Sequence, residues 1–207
     1  MYFKKSFWSI CFAYILASCI VSCDSSEDNS DIPITGQNNT LVHDGQSFSF
    51  DKGLLLNRGA SGNHYNVDIK ITDGVFTPVD VYIGNIPITY WYFGGDTVRL
   101  DLELYAPGRT EFNTGTFNYT ALSEDDIENS FNLAGEFLFL DSEVGLDLNG
   151  DGEVDTDTGS ELLDITDGTI TVEGVFPDFR IVFDLELENG QSVTGNFQSE
   201  FAVWPVD

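Results

Sequence analysis

From Asp147 to Asp155 the chain reads Asp-Leu-Asn-Gly-Asp-Gly-Glu-Val-Asp, an oxygen-bearing side chain at every second position and a glycine at the sixth. That is the ligand rhythm of a calcium loop. A hard cation of this kind takes six to eight oxygens at roughly 2.3–2.6 Å, and a tight loop aims positions 1, 3 and 5 inward while the glycine makes the sharp turn. Asp147, Asn149 and Asp151 are the expected side-chain ligands to Ca2+; Glu153 would offer its backbone carbonyl, and Asp155 would bind directly or through water. The twelfth position, a bidentate Glu in an EF-hand, is Thr158 here, so the likeness to that loop is partial; Asp157 or Glu161 could supply the missing oxygen. The competing reading of the same residues is a solvated acidic turn.

A second set of residues suits recognition rather than catalysis. Tyr90-Trp91-Tyr92-Phe93 is followed by Gly94-Gly95-Asp96, and flat rings stack on sugar faces while neighbouring acids and amides bond hydroxyls. Because the tract continues a strand pattern, one side of it must be core. Trp91 or Tyr92 is therefore the expected ligand-binding residue, with core packing the alternative.

Catalytic motifs are scarce. His43 and His64 sit in no zinc-ligand spacing, and Gly59-Ala60-Ser61-Gly62 lacks the strand-to-helix context of an activated serine. Glycoside hydrolysis needs only two suitably placed carboxylates, which 35 acidic residues could supply. Most acids fall in turns or on the polar side of alternating strands, however, and Glu103 and Glu186, each between leucines, should point outward. The balance favours a non-catalytic protein over an enzyme.

These residues are carried by a chain with a leader. Lys4 and Lys5 precede an apolar run from about Phe7 to Val21, short for a membrane span of roughly 20 residues, so residues 1–22 read as a signal peptide. The run ends in Ile20-Val21-Ser22-Cys23, with Leu16-Ala17-Ser18-Cys19 before it; both resemble the bacterial lipobox. That resemblance implies acylation of Cys23, or alternatively of Cys19, and an anchor in a lipid bilayer. All three cysteines lie in this leader, so no disulfide framework remains. The 35 acidic residues all follow Cys23, where only six Lys and Arg remain; such a surface repels nucleic acid. The polar stretch 23–45 reads as a flexible acidic tether.

From Ser47 on, period-two alternation dominates. Tyr65, Val67, Ile69 and Ile71 alternate with Asn66, Asp68 and Lys70; Val98 to Leu104 and Phe179 to Leu187 repeat the pattern. This is the signature of antiparallel strands with one wet face. Asn189-Gly190 suits a tight type I′ hairpin, and Asp44-Gly45, Asp73-Gly74 and Asp167-Gly168 mark further turns. The only helical signal spans Leu122 to Glu128, with Ser123 as its cap. The expectation is an all-β single domain over 46–207, an antiparallel β-sandwich or jelly-roll-like fold of about eight to ten strands, with Trp204 closing its edge.

The strand Gly115-Thr116-Phe117-Asn118-Tyr119, the acidic Asp-Leu-Asn-Gly-Asp-Gly loop and the final hairpin with Gly190 and Val193-Thr194-Gly195 resemble those of uncharacterised Bacteroidota surface lipoproteins, whose acidic post-cysteine tract Asp24-Ser25-Ser26-Glu27-Asp28 also resembles. The likeness covers about residues 47–203 and implies fold and location, with no activity attached. The sequence thus reads as an outer-membrane or cell-surface lipoprotein, a calcium-stabilised binding or assembly module for a glycan or a surface protein. The alternative is a small carbohydrate-active hydrolase or lyase using paired carboxylates.

Overall fold

The computed structural model describes residues 39–84, 86–155 and 161–205. The leader, Cys19, Cys23 and the tether as far as residue 38 lie outside the described residues, as do Asp157 and Thr158. The described chain is mostly strand, in the order β1 (Thr40–His43), β2 (Gln46–Ser49), β3 (Lys52–Ser61), β4 (His64–Thr72), β5 (Val75–Ile83), β6 (Ile86–Gly94), β7 (Val98–Pro107) and β8 (Gly115–Tyr119). A short helix, α1 (Glu124–Asn129), and a 3-10 turn (Phe131–Leu133) precede β9 (Leu138–Leu146), β10 (Leu162–Val175), β11 (Asp178–Leu187), β12 (Ser192–Glu200) and β13 (Ala202–Pro205). No helix among the described residues is long and apolar enough to cross a membrane.

The expected all-β single domain is what the chain builds. Eleven strands form one continuous sheet in the order β13-β3-β4-β7-β9-β8-β10-β11-β12-β1-β2, while β5 and β6 make a separate two-stranded sheet. Most pairings are antiparallel; β13 on β3 and β8 on β9 are parallel. The sheet curls around its main core, to which alternate residues of the strands contribute, among them Val67, Ile69, Leu100, Leu102, Phe117, Ile170, Phe183 and Phe197. Phe50, between β2 and β3, meets Phe183 and Phe197 edge-on at 6.4 and 6.1 Å, bringing the start of β3 against β11 and β12 from the far half of the sheet.

Three local readings are refined. Residues 40–43, assigned to the tether, are a strand paired with β12 on one side and β2 on the other, with Thr40, Leu41 and His43 buried. A four-residue strand is too short to show period two. Second, type I′ geometry appears at Asp44-Gly45, where φ is +47° and +77°, joining β1 to β2 directly. Gly190 alone takes positive φ in its turn; its N–H bonds Leu187 O at 2.8 Å and Gln191 O accepts from Leu187 N at 2.8 Å, the three-residue hairpin with a left-handed closing residue. Third, β13 ends the sheet as Trp204 foretold, but by parallel addition to β3. The helix forms as expected: the Ser123 hydroxyl accepts from Asp126 N while the Asp126 carboxylate accepts from Ser123 N, a capping box.

Candidate functional site

Strands β4, β7 and β9 lie side by side, and their outward faces carry charge in register. Lys70 stands opposite Asp101, and Asp101 opposite Glu143; one row along, Asp68 stands opposite Glu103. Their inward neighbours Ile69, Leu102 and Val144 belong to the core. This outer face is the floor of a cleft of about 680 Å3, lined by Arg58, Ala60, Ser61, Asn66, Asp68, Lys70, Asp101, Glu103, Glu124, Glu128, Asp141 and Glu143.

Two β-bulges furnish its flanks. In β9 the register shifts between the pairs Asp101–Glu143 and Glu103–Leu140. Residues 140 and 143 would face opposite ways in a regular strand; the extra residue, with Asp141 at φ +42°, sets Leu140 and Glu143 on the same outer face, and Asp141 and Glu143 both line the cleft. Ser142 fastens the bulge, its hydroxyl donating to Leu140 O at 2.7 Å and accepting from Glu103 N at 3.1 Å. In β3 the shift falls between Asn57 and Gly59, so Arg58 is the extra residue and reaches over the cleft to Asp68 through two bonds of 2.9 and 2.5 Å. Helix α1 closes one end: Ile127 packs with Tyr105, Leu138 and Leu140 on the outer face, and Ser61 Oγ donates to Glu128 at 2.9 Å.

The floor groups are held and partly desolvated. Lys70 pairs with Asp101, yet burial raises the Asp101 carboxyl above its ordinary range, with Lys70 opposing. Burial likewise raises Glu103, against the bonds it accepts from Tyr105 OH at 2.6 Å and Asn66 Nδ2 at 3.1 Å. Glu143 is raised by burial and then by the neighbouring Asp101 charge. Tyr105 is raised by burial and by its bond to Glu103. Burial works against the Arg58 charge, but Asp68 outweighs it and raises the guanidinium. The arrangement offers carboxylate acceptors, amide and cationic donors, and carboxyls poised to hold a proton nearer neutrality.

The aromatic tract lies elsewhere. Trp91 turns toward the body, its ring 5.1 Å from that of Trp204 and edge-on to it, whereas Tyr92 is exposed. Neither lines the cleft. Phe93 on β6 packs over Lys70 Nζ at 5.3 Å and the Arg99 guanidinium at 5.2 Å, fixing the base of the hairpin beside the cleft floor. Sequence reasoning placed Glu103 on an outward face correctly and took it as solvated. The missed signal is that three neighbouring strands each put charge at their polar positions, next to helix α1.

The acidic loop forms a tight turn with Gly152 at φ +97° in the sixth position. Asp147 Oδ1 accepts from Gly150 N at 2.7 Å and Asp147 Oδ2 from Gly152 N at 2.9 Å; Asn149 Oδ1 accepts from Asp151 N at 2.8 Å, and Asp151 Oδ1 from Glu153 N at 3.2 Å. Buried Glu161 closes the base, taking Leu148 N, Asn149 N and Asp155 N at 3.0, 2.9 and 2.8 Å. An all-oxygen donor set of this kind suits a hard cation. Its side chains here are turned onto the loop's own N–H groups, and among the described residues no three His, Cys, Asp or Glu gather around a common point.

No family model, curated protein or solved structure matches this chain.

Proposed function

We propose that this chain is a cell-surface lipoprotein, anchored in the outer membrane through Cys23, whose β domain is a binding module with the bulge-flanked cleft as its ligand site. One observation carries the reading: two separate bulges each bring a charged residue, Arg58 and Asp141, over the same outer-face hollow. Bulges re-aim side chains where function needs them, and the volume is that of a small-ligand site. Hydroxyl groups both donate and accept. A glycan would therefore find acceptors in Asp101, Glu103 and Glu143 and donors in Arg58, Asn66 and Ser61. In this reading Asp147, Asn149, Asp151, Glu153 and Asp155 hold Ca2+ when it is bound, which neutralises the loop and stiffens the end of β9.

The hydrolase reading keeps one specific support. Glu103 and Glu143 line the same cleft and both carboxyls are raised by burial, which suits a carboxyl in this cleft to carry the proton a general acid donates.

A glycan array run beside a hydrolase screen separates the two. Binding without turnover, weakened tenfold or more by Glu103→Gln, supports the module. Turnover abolished by Glu143→Gln with binding retained supports the hydrolase, and neither binding nor turnover removes the cleft as the site.

A further inference from the structure

The β5–β6 hairpin has two faces and two halves. Near its base the inward face is covered, Phe93 by Lys70 and Arg99 and Trp91 by Trp204, while Tyr92 and Tyr90 look outward, opposite Thr77 and Val79. Toward the tip the cover ends. Val81 and Tyr82 are consecutive, so they point to opposite faces, yet they are 41% and 67% exposed. At Val81 and Tyr82 the hairpin therefore leaves an apolar side chain exposed on each of its faces.

From Val75 to Gly94 the sequence holds one charged residue, Asp80, in a chain of net charge −27. Asp80 accepts from Thr89 Oγ1 across the hairpin at 2.8 Å, marking where polarity resumes. We propose that this hairpin tip docks into the interface of a neutral, zwitterionic lipid bilayer. A flat partner, a sugar ring or a protein surface, covers one face and leaves Val81 or Tyr82 in water; a fluid apolar medium surrounds both. Charge agrees: a charge-free tip enters without desolvating an ion, whereas the acidic body is repelled by anionic headgroups. The depth is bounded as well. Four residue steps separate Asp80 from the turn at Gly84, about 13 Å of strand, enough to reach the headgroup–acyl boundary about 5–10 Å down. Tyr90, level with Val79, then sits where amphipathic rings favour the membrane–water interface.

The docking does not depend on the acyl anchor or on the cleft, so it is tested without either. The compact unit Gly36–Asp207 holds the described strands and the core they bury, and a unit of this length buries enough apolar surface to fold by itself. That fragment should float with phosphatidylcholine vesicles. Val81→Asp and Tyr82→Asp, both at exposed sites, should keep the circular dichroism of the parent and lower the partition coefficient at least tenfold, and phosphatidylglycerol in the vesicles should lower it for the wild type. Glu103→Gln, which tests the cleft, should leave flotation unchanged. Failure of the wild type to float, or equal flotation of the Asp variants, overturns the proposal; so does a glycan or a self-associated dimer whose binding is lost with Tyr82→Asp.

Discussion

Glu143 owes its place in the cleft to one extra residue in its own strand, and its proton affinity to what that placement costs in hydration. Burial raises the carboxyl in the folded chain, so the folded state binds the proton more readily than the unfolded one. Stability must then fall as pH rises from the ordinary carboxylate range through the folded value, and return on acidification. Glu143→Gln should melt about 1–3 °C above wild type at pH 7 and equal to it near pH 4, as read by thermal denaturation across pH. The loop 147–155, proposed to hold Ca2+, gives a prediction of opposite kind. A ligand that binds only the folded chain stabilises it by RT ln(1 + [L]/Kd), about 1.4 kcal/mol at ten times Kd, or roughly 2–4 °C in a domain of this size. Millimolar calcium should raise the melting temperature by that amount over chelator, and Asp147→Ala combined with Asp151→Ala should abolish the shift while keeping the β-sheet spectrum. Identical melting in calcium and chelator would leave the loop as a turn held by Glu161, whose buried carboxylate takes three backbone N–H groups.

At the scale of elements, the hairpin β5–β6 is joined to the main sheet by packing, with no strand pairing to it among the described residues. Its base rests on the contact of the Phe93 ring with two cations and on that of Trp91 with Trp204. Cation–π contacts of this partly desolvated kind contribute about 0.5–2 kcal/mol. Phe93→Ala should therefore loosen the hairpin alone: amide exchange of residues 75–94 rises about tenfold in hydrogen-exchange mass spectrometry, while the strands of the curled sheet keep their protection. Equal loss of protection in both would mean that the hairpin is part of the core's cooperative unit. Helix α1 was legible because Ser123 and Asp126 stand three apart before a single buried Ile127. Its consequence, a wall for the cleft, was not, since that depends on Gly62 of the β3–β4 turn lying so close that an added Cβ would meet Glu128 O at 2.4 Å.

The whole molecule sets a small core of alternating strands beneath a heavily acidic surface. The proposed surface address rests on residues 1–22 read as a leader, and the proposed acylation at Cys23 predicts that metabolic fatty-acid labelling is lost in Cys23→Ala. Undiminished labelling would move the anchor to Cys19, and an unlabelled wild type would remove it.

What the sequence by itself determined is what local chemistry encodes. Period-two alternation made the strands and said which face enters the core, Gly45 and Gly190 marked turns that need positive φ, and the oxygen rhythm of 147–155 shaped a tight loop. The tertiary structure decided the rest, because it turns on register. Whether Lys70, Asp101 and Glu143 form one row depends on which strands become neighbours across long stretches of chain, and a period has no memory of its partner. Bulges at Arg58 and Asp141 shift faces by one residue without disturbing the pattern on either side. The same holds for Tyr92 and Trp91: alternation guarantees that they face opposite ways, but only the position of Trp204 at the sheet edge fixes which one is covered.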